Sequence, residues 1–402
     1  MAEELFSRLL DFPSYWIIEK IEHKMESDEV FIYVKFITQE YKHAHPEQYN
    51  GIHDYSSYRT WRHLDVLQYK TYIKAKLPRI KDGSGKVVTL DPPWSIRNNR
   101  HSFLFERKII DTLLATKNQT KTSSLLQCSF GLVNRVMHQC TTRGLERRDK
   151  EIVYKQLSID EKSFKKGHNY VTVLSDPISG HIVDVSQGRT KASCKDLINR
   201  NLSSEQKEQV EQVSVDMWAA FINSVKETLP KSKIVHDRFH LIQYLNKAVD
   251  SVRRREVKTH QELKNSRYAL LKNQYNLTIK QHFKFEEVLR LNTSVSLAWR
   301  LKECFKGLFN SPDYQNAHSR FSDWISFCNW ENIPEISKVT KMFSNHIVGV
   351  CNALVETISN AMAERLNGKI QELKTVAKGY RTFTNFRSAI LFFNGGLNLD
   401  PQ

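Results

Sequence analysis

Between residues 151 and 240 the chain switches repeatedly between strand and helix periodicity, and this order constrains the fold more than any other feature. The stretch "IVYKQLSIDEKSF" predicts a strand that ends at Asp160, and "HNYVTVLSDPISGHIVDVSQGR" predicts a hairpin that turns at 177–180. A polar helix pattern follows. Then "QVSVDMWAAFINSVKETLP" predicts a strand ending at Asp216 and a helix ending before Pro230, and "KIVHDRF" supplies the next strand. This order predicts a mixed α/β sheet.

The segments on either side have other patterns. Residues 1–100 predict a small β-rich module in which "EVFIYVKF" alternates, residues 43–60 form a loop, and a strand pair turns at 82–85. Beyond residue 240 the pattern is helical, with the tryptophans at 299, 324 and 330 in the core, and Gly379 separates the last two helices. Five segments follow from these patterns: 1–100, 101–150, 151–250, 251–345 and 346–402.

A helical pair is predicted within 101–150. One helix starts at Thr120 or Thr122 and ends near Leu126, and Ser129 caps a second helix that runs to about Cys140. Two helices joined by three residues are typical of a DNA-binding helix-turn-helix, although an ordinary three-helix bundle has the same pattern. The second helix then presents four polar residues outward: Asn134, Arg135, His138 and Gln139.

The charge balance favours a polyanionic partner. The 402 residues carry 60 Lys+Arg against 44 Asp+Glu, a formal net charge of +16. Nucleic acid is the partner that such an excess indicates best in a cytosolic protein, although a basic protein without any such partner has the same composition. An acidic membrane surface is less favoured, because neither terminus has a basic amphipathic segment.

The compartment follows from what the sequence lacks. No run approaches the roughly 18 apolar residues of a membrane span, and the first residues have no signal-peptide core, so we expect a cytoplasmic protein without a membrane partner. The six cysteines contain no C-x-x-C pair. They are interpreted as core thiols in a reducing compartment.

Two carboxylates follow apolar strands, in "LSID" and "VSVD". Asp160 and Asp216 are 56 residues apart (216 − 160), so they meet only if their strands are neighbours in the sheet. Like charges at one sheet edge repel unless a cation lies between them, and Mg²⁺ prefers such oxygen ligands. The alternative for each carboxylate is a solvated surface position, which is less favoured directly after a buried strand.

A third acid is predicted on the helix "SNAMAERLNGKIQELK". Its Asn360, Glu364, Asn367 and Gln371 recur at spacings of four, three and four, so they share one helix face. That face supplies a carboxylate and amides to a metal and phosphate site. The alternative is an amphipathic surface helix capped by Ser359.

A strand-to-helix junction places Asp237, Arg238 and His240 together, and the following helix ends in the run Arg253–Arg255. Such junctions are common positions for chemistry in α/β enzymes. Asp237 and His240 are expected beside the site, where they shape it or hold DNA. A hydrogen bond from His240 to Asp237 that braces the junction is the competing interpretation.

The strings "SIDEKSFKKGHNYVTVLSD", "VSVDMWAAF", "IVHDRFHLIQYLNKAVDSVRR" and "SNAMAERLNGKIQELK" resemble bacterial insertion-sequence transposases, of the ISL-three family of DDE transposases. The resemblance implies an α/β RNase H-like catalytic domain with a large all-α insertion, plus the N-terminal β module and helix-turn-helix. It also implies that Asp160, Asp216 and Glu364 are the metal-binding triad, and that Asp237 and His240 form a D-x-x-H element. Asn360 and Asn367 are accessory residues.

The same resemblance implies a reaction and its partners. Two Mg²⁺ or Mn²⁺ ions are expected in each active site, for cleavage of duplex DNA at terminal inverted repeats and strand transfer into target DNA. A homodimer or larger assembly, associated with the bacterial nucleoid, is expected, because two ends must be held together. The predicted DNA-binding residues are Asn134, Arg135, His138, Arg238, Arg253 and Arg254, although at least one arginine of the 253–255 run is expected to be a solvated helix end.

One departure concerns zinc. Similar family members carry cysteine pairs in the N-terminal module, whereas the corresponding strings here are "KHAHPEQYNG" and "RIKDGSGKVV". The loop histidines at 43, 45, 53 and 63 are a weak zinc signal, so no zinc is expected. Three other functions remain open at this point: a domesticated DNA-binding regulator without strand transfer, an RNase H-like DNA nuclease, and an RNA-binding protein.

Overall fold

The computed structural model describes residues 2–401 except 48, 50, 82–84, 97, 166, 168, 292 and 357–359, and it leaves undescribed the side chains of residues 2, 360, 361, 363 and 364. The chain forms two compact units, Met1–Arg148 with Leu397–Gln402, and Asp149–Gly396. None of the helices described is long and apolar enough to cross a lipid bilayer.

The N-terminal unit begins with a five-stranded sheet. Its strands follow the order β1-β2-β4-β3, with β5 on β4, and β2 and β4 are parallel. One face of this sheet is a buried core that includes Ile32, Trp61 and Ile73. The elements are α1 (Ala2–Leu10), β1 (Trp16–Lys24), β2 (Glu29–Phe36), α2 (Thr38–Ala44), β3 (Ile52–Arg62), β4 (Lys70–Lys81) and β5 (Val87–Thr89).

Strand β3 corrects the prediction of a loop at 43–60. Its sequence "IHDYSSYRTWR" lacks an apolar alternation, and its residues become fully buried only at Trp61 and Arg62. Because the local pattern does not predict a strand, the pairing of this segment with β4 is what makes it one. That pairing is interrupted twice by bulges. Three of the four residues of the turn predicted at 82–85 lie outside the described residues.

Three helices complete the N-terminal unit: α3 (Phe103–Thr116), α4 (Gln119–Leu125) and α5 (Phe130–Glu146). The predicted cap is confirmed, since the Ser129 hydroxyl accepts a hydrogen bond from the Leu132 amide. Helix α5 extends beyond the predicted end at Cys140. Its buried face continues to Gly144, where an added Cβ would lie 2.8 Å from Leu397 Cβ, so close packing extends the helix.

The second unit contains the predicted mixed α/β sheet. Strands β6, β7 and β8 form an antiparallel meander, β9 lies parallel to β6, and β10 lies parallel to β9 in the order β10-β9-β6-β7-β8. The predicted hairpin is confirmed. The elements are β6 (Gln156–Lys165), β7 (Asn169–Asp176), β8 (His181–Gln187), α6 (Lys191–Asn201), α7 (Ser204–Glu208), β9 (Gln212–Val215), α8 (Ala219–Thr228) and β10 (Lys233–His236).

Strand alternation decides which side chains share a face of this sheet. Ile159 of β6 and Val215 of β9 pack with Phe221 of α8 in one buried cluster. Because successive side chains point to opposite faces, Asp160 lies on the opposite face from Ile159. Strand β6 continues to Lys165 rather than ending at Asp160 as predicted, although its parallel pairing with β9 stops at Ile159.

A largely helical region follows β10. Its core surrounds Phe305, Phe321 and Trp324, all buried, whereas Trp330 is 78% exposed and corrects the prediction that it lies in the core. The helices are α9 (Arg238–Glu256), α10 (Arg267–Leu271), α11 (Ile279–Arg290), α12 (Ser294–Lys306), α13 (Tyr314–Glu331), α14 (Pro334–Asn345), α15 (Ile347–Val355), α16 (Asn360–Val376) and α17 (Phe383–Asn394).

Helix α15 covers the edge strand β10. The Asn352 amide donates a hydrogen bond of 2.8 Å to the Ile234 carbonyl, which satisfies an edge group of the sheet. An added Cβ on Gly349 would lie 2.5 Å from the ring of buried His236, so only glycine allows this close approach.

Candidate active site

Three aspartates lie in one row across three adjacent parallel strands. Ile159 of β6 pairs with Val215 of β9, and Val215 pairs with His236 of β10. The next residue on each of these chain segments is Asp160, Asp216 or Asp237. Parallel strands lie roughly 4.8 Å apart, so the register brings the three carboxylates to one edge of the sheet.

Asp160 is held by three neighbours. Its Oδ1 accepts a hydrogen bond of 2.7 Å from the Glu161 amide. Its Oδ2 accepts one of 2.6 Å from the side-chain amide of Asn367 on α16, and the Lys162 ammonium lies 3.2 Å from the same oxygen. The Asp160 side chain is only 18% exposed, so these contacts fix its orientation and partly balance its charge.

Asp216 has a similar backbone contact and different side-chain neighbours. Its Oδ1 accepts a hydrogen bond of 2.7 Å from the Met217 amide. The Tyr244 hydroxyl donates to the carboxylate from 3.4 Å, at equal distance from both oxygens. Burial, together with the Asp216 charge, raises the pKa of Tyr244 to about 12. Tyr244 therefore stays protonated and acts as a donor.

Asp237 caps helix α9, since its Oδ1 accepts a hydrogen bond of 2.7 Å from the Phe239 amide. His240 lies between two carboxylates: Nδ1 is 3.9 Å from Asp216 Oδ2, and Nε2 is 3.9 Å from Asp237 Oδ2. These separations exceed hydrogen-bond length. The cap rather than the predicted ring hydrogen bond therefore braces the junction. Burial raises the pKa of Asp237, and the Asp160 charge raises it further.

Helix α16 lies against β6 on the face that carries Asp160. Besides Asn367, the Lys374 ammonium donates a hydrogen bond of 2.6 Å to the Ser163 carbonyl two helical turns later. Position 364 lies one turn before Asn367 on this helix. The side chains of Asn360 and Glu364, and Ser359 as a whole, lie outside the described residues, so the third carboxylate stays a prediction. Gln371, which shares their predicted face, is exposed.

The donor set suits a hard divalent cation. The carboxylates of Asp160, Asp216 and Asp237 on one sheet edge are oxygen donors of the kind that Mg²⁺ and Mn²⁺ prefer, and the Lys162 ammonium lies 3.2 Å from Asp160. Among the described side chains, no group of three or more His, Cys, Asp and Glu is close enough to hold a metal ion by itself. Asp160 and Asp216 thus fit as part of a site that needs a further ligand.

Two neighbours of this site were missed from the sequence, and both have a spacing that predicts them. Lys162 lies two residues after Asp160 on β6, which places both on one face of the strand. Tyr244 lies four residues after His240 on α9, which places both on one face of the helix. A polar residue at such an offset from a candidate site residue is therefore expected to lie on the same face as that residue.

A stacked cluster near Asp216 also escaped prediction. The Arg189 guanidinium lies 4.3 Å from the ring centroid of Tyr170 and 5.1 Å from that of Trp218. It is also 3.3 Å from a Glu161 carboxylate oxygen. Trp218 is 44% exposed and lies two residues after Asp216, so this cluster forms an aromatic and cationic rim beside the carboxylates.

Two of the four arginines predicted to contact DNA, Arg238 and Arg253, are engaged within the protein. The Arg238 guanidinium donates to the carbonyls of Ala353 and Glu356 at 2.7 and 2.8 Å, which ties α9 to the end of α15. The 13% exposed Arg253 side chain pairs with Asp250 at 2.8 Å. Arg254 is 66% exposed.

The helical pair α4 and α5 belongs to the N-terminal unit. Arg135 is exposed, whereas Asn134, His138 and Gln139 are half-buried rather than fully outward as predicted. Asn134 Oδ1 is buried and has no hydrogen-bond partner among the described residues.

The four N-terminal histidines have separate environments. The Nδ1 of buried His63 lies 2.8 Å from the Ser102 hydroxyl, His45 stacks on Tyr41, and His53 lies 3.3 Å from Asp54. His43 is exposed at the end of α2. All six cysteines are free thiols.

Comparison with known proteins relates the chain to a described family. Residues 157–390 match a family model of the ISL-three type of DDE transposase, described as "Transposase". The chain is 25% identical over 352 residues to the transposase for insertion sequence element IS1557 of Mycobacterium tuberculosis, covering 81% of this chain and 79% of that protein. It is 24% identical over 233 residues to the transposase for insertion sequence element IS1001 of Bordetella parapertussis, covering 56% and 57%.

Proposed function

The chain belongs to the ISL-three family of DDE transposases, and we propose that it cleaves DNA at the terminal inverted repeats of its own insertion sequence and transfers those ends to new DNA. The observation that carries this proposal is the alignment of Asp160 and Asp216 on neighbouring parallel strands. Two carboxylates brought together from positions 56 residues apart (216 − 160), with few cationic neighbours, form a site for divalent cations.

The sheet order supports an RNase H-like catalytic domain in this proposal. Three antiparallel strands are followed by two parallel ones, joined through helices α6 to α8. The helices between β10 and α16 then form the all-α insertion that separates the second acid from the third. The segment limits predicted above remain part of the proposal.

The catalytic proposal assigns roles to side chains. Asp160 and Asp216, with Glu364 as third acid, would hold two Mg²⁺ or Mn²⁺ ions; when bound, these supply activation of the attacking hydroxyl and stabilisation of the leaving oxygen at phosphorus. Asn367 and Lys162 orient Asp160, and Tyr244 orients Asp216. No protein nucleophile is required.

His240 and Asp237 complete this edge of the site. The imidazole lies between the second and third aspartates of the row, 3.9 Å from an oxygen of each, and separates the two carboxylates. Because Arg238 is engaged by the end of α15, the proposal gives it a structural role rather than a DNA contact.

The proposed partner is double-stranded DNA. Support comes from the net charge of +16 and from the helical pair α4 and α5, whose Arg135 is exposed. His138, Asn134 and Arg254 are kept as candidate DNA contacts. The proposal includes a homodimer or larger assembly at the bacterial nucleoid and an N-terminal module that folds without zinc.

A strand-transfer assay with labelled element ends and Mg²⁺ tests the proposal. Wild-type protein is expected to join labelled ends to target DNA, and Asp216→Ala is expected to lose that activity while still binding the ends. Asp196→Ala is a matched control, because this carboxylate is 64% exposed on α6. Equal activity of wild type and Asp216→Ala would reject the catalytic assignment, and cleavage without joining would favour a nuclease.

A further inference from the structure

The outward face of the N-terminal sheet combines lysines with aromatic rings. Ile32 and Ile73 point to the buried core, so their strand neighbours point outward. The register sets Lys20 opposite Tyr33, Tyr33 opposite Lys74, and Lys76 opposite Tyr58. We call this surface the lysine–aromatic face, and it consists of Lys20, Lys24, Phe31, Tyr33, Tyr58, Tyr72, Lys74 and Lys76.

Each lysine of this face lies over a ring. The ammonium of Lys74 is 4.2 Å from the Phe31 centroid, that of Lys20 is 4.4 Å from Tyr33, and that of Lys76 is 4.9 Å from Tyr58. Energetically significant pairs of this kind occur about once per 70–80 residues in proteins. Their concentration on one sheet face therefore marks a surface where cations and π-faces are presented together.

A cleft borders the lysine–aromatic face and shares Tyr58 and Lys76 with it. Pairing between β2 and β4 ends at Val34 and Ala75, and β3 is bulged between Tyr55 and Tyr58. The cleft has a volume of about 310 Å³, and its lining includes Glu19, Lys35, Tyr55, Tyr58 and Lys76. It is thus large enough for a small planar group.

The cleft presents both chemical elements that a nucleotide needs. Tyr55 is 42% exposed and Tyr58 is 52% exposed, so a base can stack on Tyr55 and on the part of the Tyr58 ring that Lys76 leaves open. Lys35 and Lys76 are exposed beside them and supply cations for phosphate. The Glu19 carboxylate is an acceptor for an exocyclic amine.

We propose that the lysine–aromatic face binds single-stranded DNA, with an unpaired base in the cleft stacked against Tyr55 and Tyr58. Stacking on aromatic side chains, combined with a positive surface along the backbone, is the general mode of single-strand binding. Duplex DNA does not fit this chemistry, because its bases are stacked on one another and offer no free π-face. That the strand is DNA rather than RNA rests on the proposed function.

Binding is tested with the full-length protein and fluorescein-labelled oligonucleotides, by fluorescence anisotropy at fixed ionic strength. The ligands are an oligo-dT of about 12 nucleotides, an abasic strand of the same length, and a hairpin duplex. The oligo-dT is expected to bind at least roughly 10-fold tighter than the abasic strand, because only it can stack. Equal affinity for both would overturn the proposal, since phosphate contacts alone would then explain binding.

Protein variants locate the site. The double variant Tyr55→Ala, Tyr58→Ala is expected to lose roughly 10-fold in affinity for oligo-dT and to keep its affinity for the duplex. Tyr55→Phe, Tyr58→Phe retains the rings and is expected to bind as wild type does. Tyr275→Ala is the matched control, because Tyr275 is 84% exposed in the helical region. An equal loss for strand and duplex would contradict base stacking at this face.

Three further results are decisive, and the last two separate this inference from the proposed function. Oligo-U that binds tighter than oligo-dT would overturn the choice of DNA. If strand transfer depends on Asp216 while the double tyrosine variant binds oligo-dT normally, only the present inference fails. If tyrosine-dependent binding is found but strand transfer is not, only the proposed function fails.

Discussion

The two five-stranded sheets of this protein place charge in opposite ways. On the N-terminal sheet, lysines such as Lys20 and Lys74 lie over aromatic rings, so each cation has a favourable neighbour. On the second sheet, Asp160, Asp216 and Asp237 lie in one row, where like charges repel. The first arrangement stabilises its unit by itself, whereas the second costs stability, which a bound cation would offset under the proposed function. An unfavourable arrangement of this kind indicates a functional site.

The largest expected effect comes from removing one charge of the aspartate row. Loss of a residue that supports a metal ligand lowers activity roughly 10–100-fold. Asp216→Asn changes a proposed ligand itself, so it is expected to reduce strand transfer by more than that. Its free energy of unfolding without metal is expected to be unchanged or higher, because repulsion is relieved. Parallel strand-transfer and thermal unfolding measurements test this. A large loss of stability would show that the carboxylate has a structural role instead.

A buried histidine in the N-terminal unit gives the next effect. Burial, assisted by the Arg62 charge, lowers the pKa of His63 from 6.5 to about 4. Between pH 4 and pH 6.5 the unfolded chain therefore binds more protons than the folded protein. The contribution of neutral His63 to the free energy of unfolding is fully present above pH 6.5 and is lost as the pH falls to 4. The difference is about 3 kcal/mol.

Hydrogen exchange of the β3 and β4 amides at pH 4.5 and 7 measures this effect through protection factors. His63→Gln is expected to flatten the pH dependence, and His53→Gln, at an exposed histidine, is expected to leave it unchanged. Equal pH dependence in wild type and His63→Gln would rule out His63 as the titrating group.

The partner of Asp160 on α16 gives a smaller effect on activity. Asn367→Ala removes the 2.6 Å hydrogen bond to Asp160, and we expect a roughly 10–100-fold lower rate that additional Mg²⁺ partly restores. Titration of strand transfer with Mg²⁺ measures it. Thr375→Ala, at an exposed position of the same helix, serves as control. A loss that Mg²⁺ does not change would indicate a role outside metal binding.

Two glycines give the smallest effects, with opposite signs. Gly349→Ala places a methyl group against the His236 ring and is expected to destabilise the protein by about 1–3 kcal/mol. Gly368→Ala meets no atom within 4 Å on α16 and is expected to stabilise it by about 0.5–1 kcal/mol. Thermal unfolding followed by circular dichroism tests both, and a stable Gly349→Ala would mean that α15 shifts easily on β10.

Elements with a local signature were predictable, and those that depend on distant partners were not. The hairpin before Ile182, the cap at Ser129 and the mixed sheet all follow from periodicity, turn residues and capping, which act within a few residues. Strand β3 lacks such a signature, since its pairing with β4 is what orders it. The exposure of Trp330 likewise depends on packing between helices that no local pattern specifies.

The sequence by itself determined the chemistry available to this protein: the carboxylates that follow apolar strands, the family and the net positive charge. Tertiary structure alone decided how these groups are used. Strand register set Asp237 beside Asp216, the packing of α16 brought Asn367 to Asp160, and the end of α15 engaged Arg238. The physical reason is that residue type fixes charge and hydrogen-bonding capacity, whereas distance between residues far apart in the chain depends on packing of whole elements.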